Sequence, residues 1–123
     1  MGRRAFLRTA ALALVAAGIA CAPIPPPQYT AFADAAPPDI RARQIKRAGI
    51  ALGWAMENQR PGVVRGTLNV RNQRLVVDVA YDAAGFSIAH VSNVNMGEGD
   101  TIHYNYGRWV RNLQARIVAQ PAA

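Results

Sequence analysis

The sequence predicts an α+β domain built as a two-layer α-β-β-β-α sandwich, and three observations predict it. Apolar residues recur at helical spacing over residues 39–56 and again over 102–117. Between these stretches, three runs alternate with period two, as strands with one buried face do. Short polar turns join the runs, which makes an antiparallel three-stranded meander rather than a set of crossovers.

The first helix is expected to start at Pro38-Asp39, with Asp39 placed to cap free amide groups. Ile45, Ala48, Gly49, Leu52, Ala55 and Met56 form its apolar stripe, and Arg41, Arg43, Lys46 and Arg47 mostly fall off it. Arg60-Pro61-Gly62 breaks the pattern, so the expected helix covers Asp39 to Met56. In the first strand Val64, Gly66, Leu68 and Val70 share a face. Leu75, Val77, Val79 and Tyr81 follow after a polar turn at 71–74, and Phe86, Ile88, His90 and Ser92 after a turn at 82–85. A polar, Gly-containing loop over 93–100 leads to a second helix, capped by Asp100 or Thr101, whose stripe is Ile102, Tyr106, Trp109, Val110, Leu113 and Ile117. Both helices need cover for one stripe, and the sheet offers one strongly apolar face, so both are expected on that face.

The opposite face of the sheet is then uncovered. With four-residue turns, Thr67 lies opposite Asp78, Ala80 opposite Ser87 and Val76 opposite Val91. The resulting surface, with Arg65, Thr67, Asn69, Val76, Asp78, Ala89 and Val91, is a candidate partner face.

The chain begins with Arg3-Arg4-Ala5-Phe6-Leu7-Arg8, followed by an apolar run from Thr9 to Ala20. Twelve residues are too few for a helix that needs about 20 to span a bilayer, and the arrangement is that of a signal peptide over residues 1–20. Arg3, Arg4, Phe6 and Leu7 resemble the twin-arginine export motif, although Gly2 departs from the usual Ser or Thr, and the general secretory route stays open. The run ends Gly18-Ile19-Ala20-Cys21, which resembles the bacterial lipobox, with Gly18 where Leu is usual. That resemblance implies cleavage before Cys21 and acylation of its thiol. The alternative is cleavage after Ala31-Phe32-Ala33, which lies far beyond the apolar run. Two or three acyl chains hold a protein firmly on a membrane, whereas one does so only marginally. Ala22, rather than Asp, follows the cysteine, which points to the periplasmic face of an outer membrane.

Residues 21–38 hold six of the eight prolines and read as an extended tether able to reach on the order of 50 Å, in which Tyr29 and Phe32 either dock on the domain, dip into lipid or stay mobile. Residues 39–118 form the domain and 119–123 a disordered tail. About 80 residues is near the lower size limit for a single core, and one cysteine allows no internal disulfide. The formal charge of +7 falls to +4 once Arg3, Arg4 and Arg8 are removed with the leader. Such a charge suits anionic head groups or cell-wall polymer, and nucleic acid is not an expected partner of an exported chain. The oligomeric state is not specified by the sequence.

Gly53-Trp54, Pro61-Gly62, Val76-Val77-Asp78-Val79 with Tyr81-Asp82, Phe86-Ser87-Ile88 and Ile102-His103 with Tyr106 and Trp109 resemble an uncharacterised family of small proteobacterial lipoproteins. The resemblance covers most of Ile45 to Ile117 and departs at Gly107, where relatives tend to have Asn. It implies envelope location and anchoring, and no activity.

No catalytic set assembles from the sequence. Ser87 and Ser92 are the only serines of the domain, and His90 and Ser92, two apart on a strand, stand about 7 Å apart, beyond hydrogen-bond reach. His103 with Glu98 and Asp100 matches no tight metal spacing, so no metal or other cofactor is expected. The expected role is a non-catalytic, membrane-anchored adaptor for a protein partner or cell-wall polymer. The competing role is binding of a sugar or peptide in an aromatic groove formed by Trp54, His103 and Tyr104.

Overall fold

The computed structural model describes residues 21–122. The export motif Arg3, Arg4, Phe6 and Leu7 lies outside the described residues. In chain order the elements are β1 (Cys21–Pro23), β2 (Thr30–Ala31), α1 (Pro38–Ala51), β3 (Ala55–Arg60), β4 (Val63–Val70), β5 (Gln73–Tyr81), β6 (Gly85–Val94), β7 (Thr101–His103) and α2 (Asn105–Ala119). The class is α+β, but the sheet is larger than a three-stranded meander. Five antiparallel strands run in the order β2-β6-β5-β4-β3, and β1 pairs with β7 in a separate two-stranded ladder.

The alternation in β4–β6 does what it predicts on one face. Val64, Leu68, Leu75, Val77, Val79, Phe86 and Ile88 are buried and join one core cluster with Ile45 and Ala48 of α1 and Tyr106, Trp109, Leu113 and Ile117 of α2. Burying a side chain of this size contributes about 1.5–3 kcal/mol, so this interface between sheet and helices is the main source of stability.

Helix α1 is shorter than Asp39 to Met56. Pro37 takes the N-cap position and Pro38 the first turn, where a missing N–H and a fixed φ cost nothing. Asp39 makes no cap hydrogen bond and contributes only its charge in the first turn. Gly53, at φ 90°, reverses the chain after α1, and Ala55 and Met56 belong to β3. Met56 still packs on the helix: a Cβ at Gly49 would stand 2.4 Å from its Sδ, and one at Gly66 2.9 Å. Of the stripe's last three residues only Met56 packs inward, while Leu52 and Ala55 are exposed.

Two further boundaries move. Only Arg71 and Asn72 join β4 to β5, so Arg65 faces Asp78 and Thr67 faces Val76. The two-residue slip leaves each side chain on its expected face but changes its neighbour. Ala80 does face Ser87, whereas a bulge at Val91 sets Ser92 opposite Val76. Neither Asp100 nor Thr101 caps α2, because Thr101–His103 is engaged as β7. Instead the first amide of α2, on Asn105, donates to His103 Nδ1 at 3.1 Å.

The Pro-rich segment does not stand off the domain. Cys21–Pro23 pairs with β7, the Ile24 amide donates to the Asp100 carbonyl, and Thr30–Ala31 extends the main sheet beside β6. Phe32 is buried against Phe86, with ring centroids 5.3 Å apart. Proline content had suggested a free polyproline chain, but specific side chains between the prolines dock it. At the other terminus α2 runs to Ala119, and Gln44 and Arg47 hydrogen-bond to the carbonyls of Gln120, Pro121 and Ala122, so 119–122 is held rather than loose.

Candidate functional site

Three surfaces have enough definition to carry function. The first is the outer face of the sheet, which no described element covers. Its centre is the pair Arg65–Asp78, with Nε–Oδ1 at 2.9 Å and Nη2–Oδ2 at 3.1 Å. The forked pair raises the Arg65 pKa, chiefly through the hydrogen bond to Asp78 and then through attraction by Asp78 and Glu57, with desolvation working against them. Val76 and Ala89 flank the pair half-buried, Thr67 lies beside Val76, and Val91 is exposed at the bulge. Asn69 accepts from its cross-strand neighbour Arg74, Nε to Oδ1 at 2.8 Å, at the same face's end. All seven residues expected on this face therefore lie on or beside it, but the ion pair and the bulge organise it in place of the expected Thr67–Asp78 and Val76–Val91 pairs.

The second is a half-open groove of about 200 Å³ between the docked Pro25-Pro26-Pro27 and α2. Phe86, Ile88 and Tyr106 form its floor, and Arg111 and Gln114 stand at its rim. Gln114 Nε2 donates to Thr30 Oγ1 at 3.0 Å, fixing one wall. Burial raises the Tyr106 pKa, so its phenol stays protonated and uncharged. This groove depends on the Pro-rich strap, Cys21–Pro37, being docked, which composition alone could not reveal.

The third is the end of the molecule where the described chain starts. Cys21 is exposed and sits opposite His103. The His103 ring stacks on Tyr104 at 4.3 Å, and Tyr104 is 64% exposed. Trp54, by contrast, is buried, close above Gly66 of β4. Trp54, His103 and Tyr104 therefore do not form the expected aromatic groove; neither of the two described cavities is lined by any of them. The reason is the reversal at Gly53, which folds Trp54 under α1 instead of leaving it on a helix surface.

One polar cluster escaped the sequence reading. Arg41 is fully buried, and its guanidinium lies 3.8 Å over the Phe32 ring. It donates to the Ala83 carbonyl, the Asp34 carboxylate and carbonyl, and Gln44 Oε1. Gln44 in turn donates to the carbonyls of Ile117 and Gln120. The signal was present: Arg41, Gln44, Ile45 and Ala48 have i, i+3, i+4, i+7 spacing, so the buried stripe continues through two polar residues. This network ties the strap, α1, the β5–β6 turn and the end of α2 together.

His90 Nε2 lies 2.7 Å from Asn93 Oδ1, and its ring meets Tyr106 edge-on. The bulge turns Ser92 to the opposite face, so the two do not form a nucleophile–base pair. Among the described residues no three His, Cys, Asp or Glu side chains converge as a metal site, and no helix is long and apolar enough to cross a membrane. Comparison with protein-family models, curated proteins and solved structures gives no match.

Proposed function

We propose that this chain is an envelope lipoprotein, held to a membrane through acylated Cys21, whose domain is a non-catalytic adaptor for a protein partner or cell-wall polymer. The observation that carries the anchor is the order of residues: Arg3-Arg4, a 12-residue apolar run, small residues and then the chain's single cysteine. The fold adds support. Cleavage after Ala33 would remove Phe32 from the core and both β1 and β2, which counts against that alternative. Ala22 after the cysteine favours the periplasmic face of the outer membrane. No catalytic residue, cofactor or metal is part of the proposal.

The adaptor role is supported by the outer sheet face, where Val76, Ala89 and exposed Val91 surround an already neutralised Arg65–Asp78 pair. Such a surface offers apolar contact area beside charges that are already paired, with the exposed Glu57 opposite Arg65 at its β3 edge. Cys21→Ser should shift the protein from the membrane to the soluble fraction of lysed cells. A photo-crosslinker at Ala89 or Val91 should give a discrete adduct that the same probe at Ile50, exposed on α1, does not. Unchanged sedimentation of Cys21→Ser contradicts the anchor, and adducts indistinguishable from those at Ile50 contradict the partner face.

A second reading rests on the 200 Å³ groove under Pro25-Pro26-Pro27. Cavities of about 150 Å³ accept a benzene-sized guest, so a small amphiphile with an anionic group near Arg111 would fit. Chemical-shift changes confined to Phe86, Tyr106 and Arg111 on adding octanoate would favour it over the adaptor.

A further inference from the structure

Cys21 is not on a free tether, and this has a consequence for how the domain meets the membrane. It is the first residue of β1, paired opposite His103, and the Ile24 amide is fixed to Asp100 at the other end of the ladder. An acyl chain on Cys21 would therefore emerge directly from the domain surface.

The residues around that point form one connected end of the molecule. His103 donates its amide to the Met96 carbonyl and accepts from the Asn105 amide through Nδ1. The Asn105 side chain donates to Gln73 Oε1 at 3.2 Å and accepts from Arg108 Nη2 at 2.8 Å. Asn95 donates to the Asn72 carbonyl at 2.8 Å, which brings the Arg71–Asn72 turn to the same place. Three exposed arginines, Arg71, Arg74 and Arg108, collect here with Tyr104, Val70 and Val94, which are 64%, 37% and 49% exposed. The nearest acids, Glu98 and Asp100, precede β7 and lie toward the Pro23 end of the ladder.

Taking the lipid-anchor reading as its premise, we infer that this end is a membrane-seating surface: Arg71, Arg74 and Arg108 contact anionic phospholipid head groups while Tyr104, Val70 and Val94 enter the interfacial layer. Arginine next to aromatic and aliphatic side chains is the composition of interfacial binding, and tyrosine prefers the head-group level. A covalent anchor at the same end converts these weak contacts into intramolecular ones, raising their occupancy without any new interaction. The domain then has a fixed orientation. The Pro61-Gly62 turn at the far end of β4, about 25 Å away at strand rise, points from the bilayer.

The test uses the full chain, extracted from bacterial membranes and reconstituted in vesicles of phosphatidylglycerol and phosphatidylcholine. A bimane is placed on Arg71→Cys, Tyr104→Cys or Gln59→Cys, and quenching by head-group nitroxide lipid is measured. Intact mass reports acylation of Cys21 in the same samples. Quenching at 71 and 104 should exceed that at 59 by about threefold or more, and R71E/R74E/R108E should reduce the quenching at Tyr104→Cys to the level at 59 while the protein still sediments. Equal quenching at all three positions in acylated protein overturns the seating and leaves the anchor intact. An unmodified Cys21 with strong quenching at 71 and 104 overturns the anchor but supports the surface, and an unmodified Cys21 without quenching overturns both.

Discussion

Strands β4–β6 and the segment Cys21–Pro37 are both extended chain laid on one domain, yet different forces hold them. The strands are held by alternation: one side chain in two enters a shared apolar core, and the ladder hydrogen bonds follow. The strap has two short ladders and few apolar anchors, chiefly Phe32 and the half-buried Ile24. A buried cation does much of the rest, since Arg41 holds the Asp34 backbone and carboxylate and covers the Phe32 ring. Burial of apolar surface is non-directional, whereas a buried guanidinium is stable only if its donors are matched. The strap should therefore be the part of the fold that single polar changes release.

The largest effect is expected where both regions depend on the same core. Leu113 is fully buried beneath the sheet, and Leu113→Ala should lower global stability by about 3–4 kcal/mol. Urea unfolding should show this loss with amide protection lowered in strands and strap together. Arg41→Ala should cost about 2–3 kcal/mol, from unpaired Gln44 Oε1 and Ala83 carbonyl and a lost cation–π contact. Its signature is unequal: the Phe32 amide, which donates to Ala84, should lose exchange protection by more than the amides of Val77 and Val79. Equal loss would show that the strap and the sheet form one cooperative unit.

A smaller effect sharpens the comparison through pH. Asp82 accepts from the Ala84 and Gly85 amides, each at 2.8 Å, and from the Tyr29 hydroxyl at 2.9 Å. These bonds lower its pKa, the two backbone amides most. The Tyr29 phenol is raised in turn, by desolvation first and then by Asp82. A carboxyl depressed in the folded state contributes stability that is present above its unfolded pKa and lost as pH falls through the folded value. Stability should thus decline below about pH 4, and Asp82→Asn should flatten that acid limb. Because Tyr29 belongs to the strap, the decline should be steeper for Phe32 amide protection than for that of Val79. The smallest change, Tyr29→Phe, should move the acid limb part of the way toward that of Asp82→Asn without altering the mid-sheet amides.

What could be read from the sequence follows the same division. The alternation in β4–β6 and the stripe Tyr106, Trp109, Leu113 and Ile117 in α2 are periodic and were legible. Strand β3 was not, because it is a polar edge strand with only Met56 turned inward, and Met56 also continues the helical spacing of α1. The register of β4 with β5 depended on turn length, and Arg71 at φ 55° gives no glycine to mark a tight turn. The strap was only partly legible: docking, lipid contact and mobility all stayed open for Phe32 among six prolines, and Arg41 looked like surface charge. At the candidate sites the same limit applies. The residues of the outer sheet face were identifiable from alternation alone, whereas the groove and the end around Cys21 exist only because the strap docks.

The docked strap is the claim on which the placement of Cys21 depends. Hydrogen exchange of the membrane-bound, full-length protein tests it most directly at the amides of Ile24 and Phe32. Protection at both, within about tenfold of that in α1, is the expected result. Exchange at free-chain rates at both amides, with α1 still protected, would make the segment a mobile tether and contradict it.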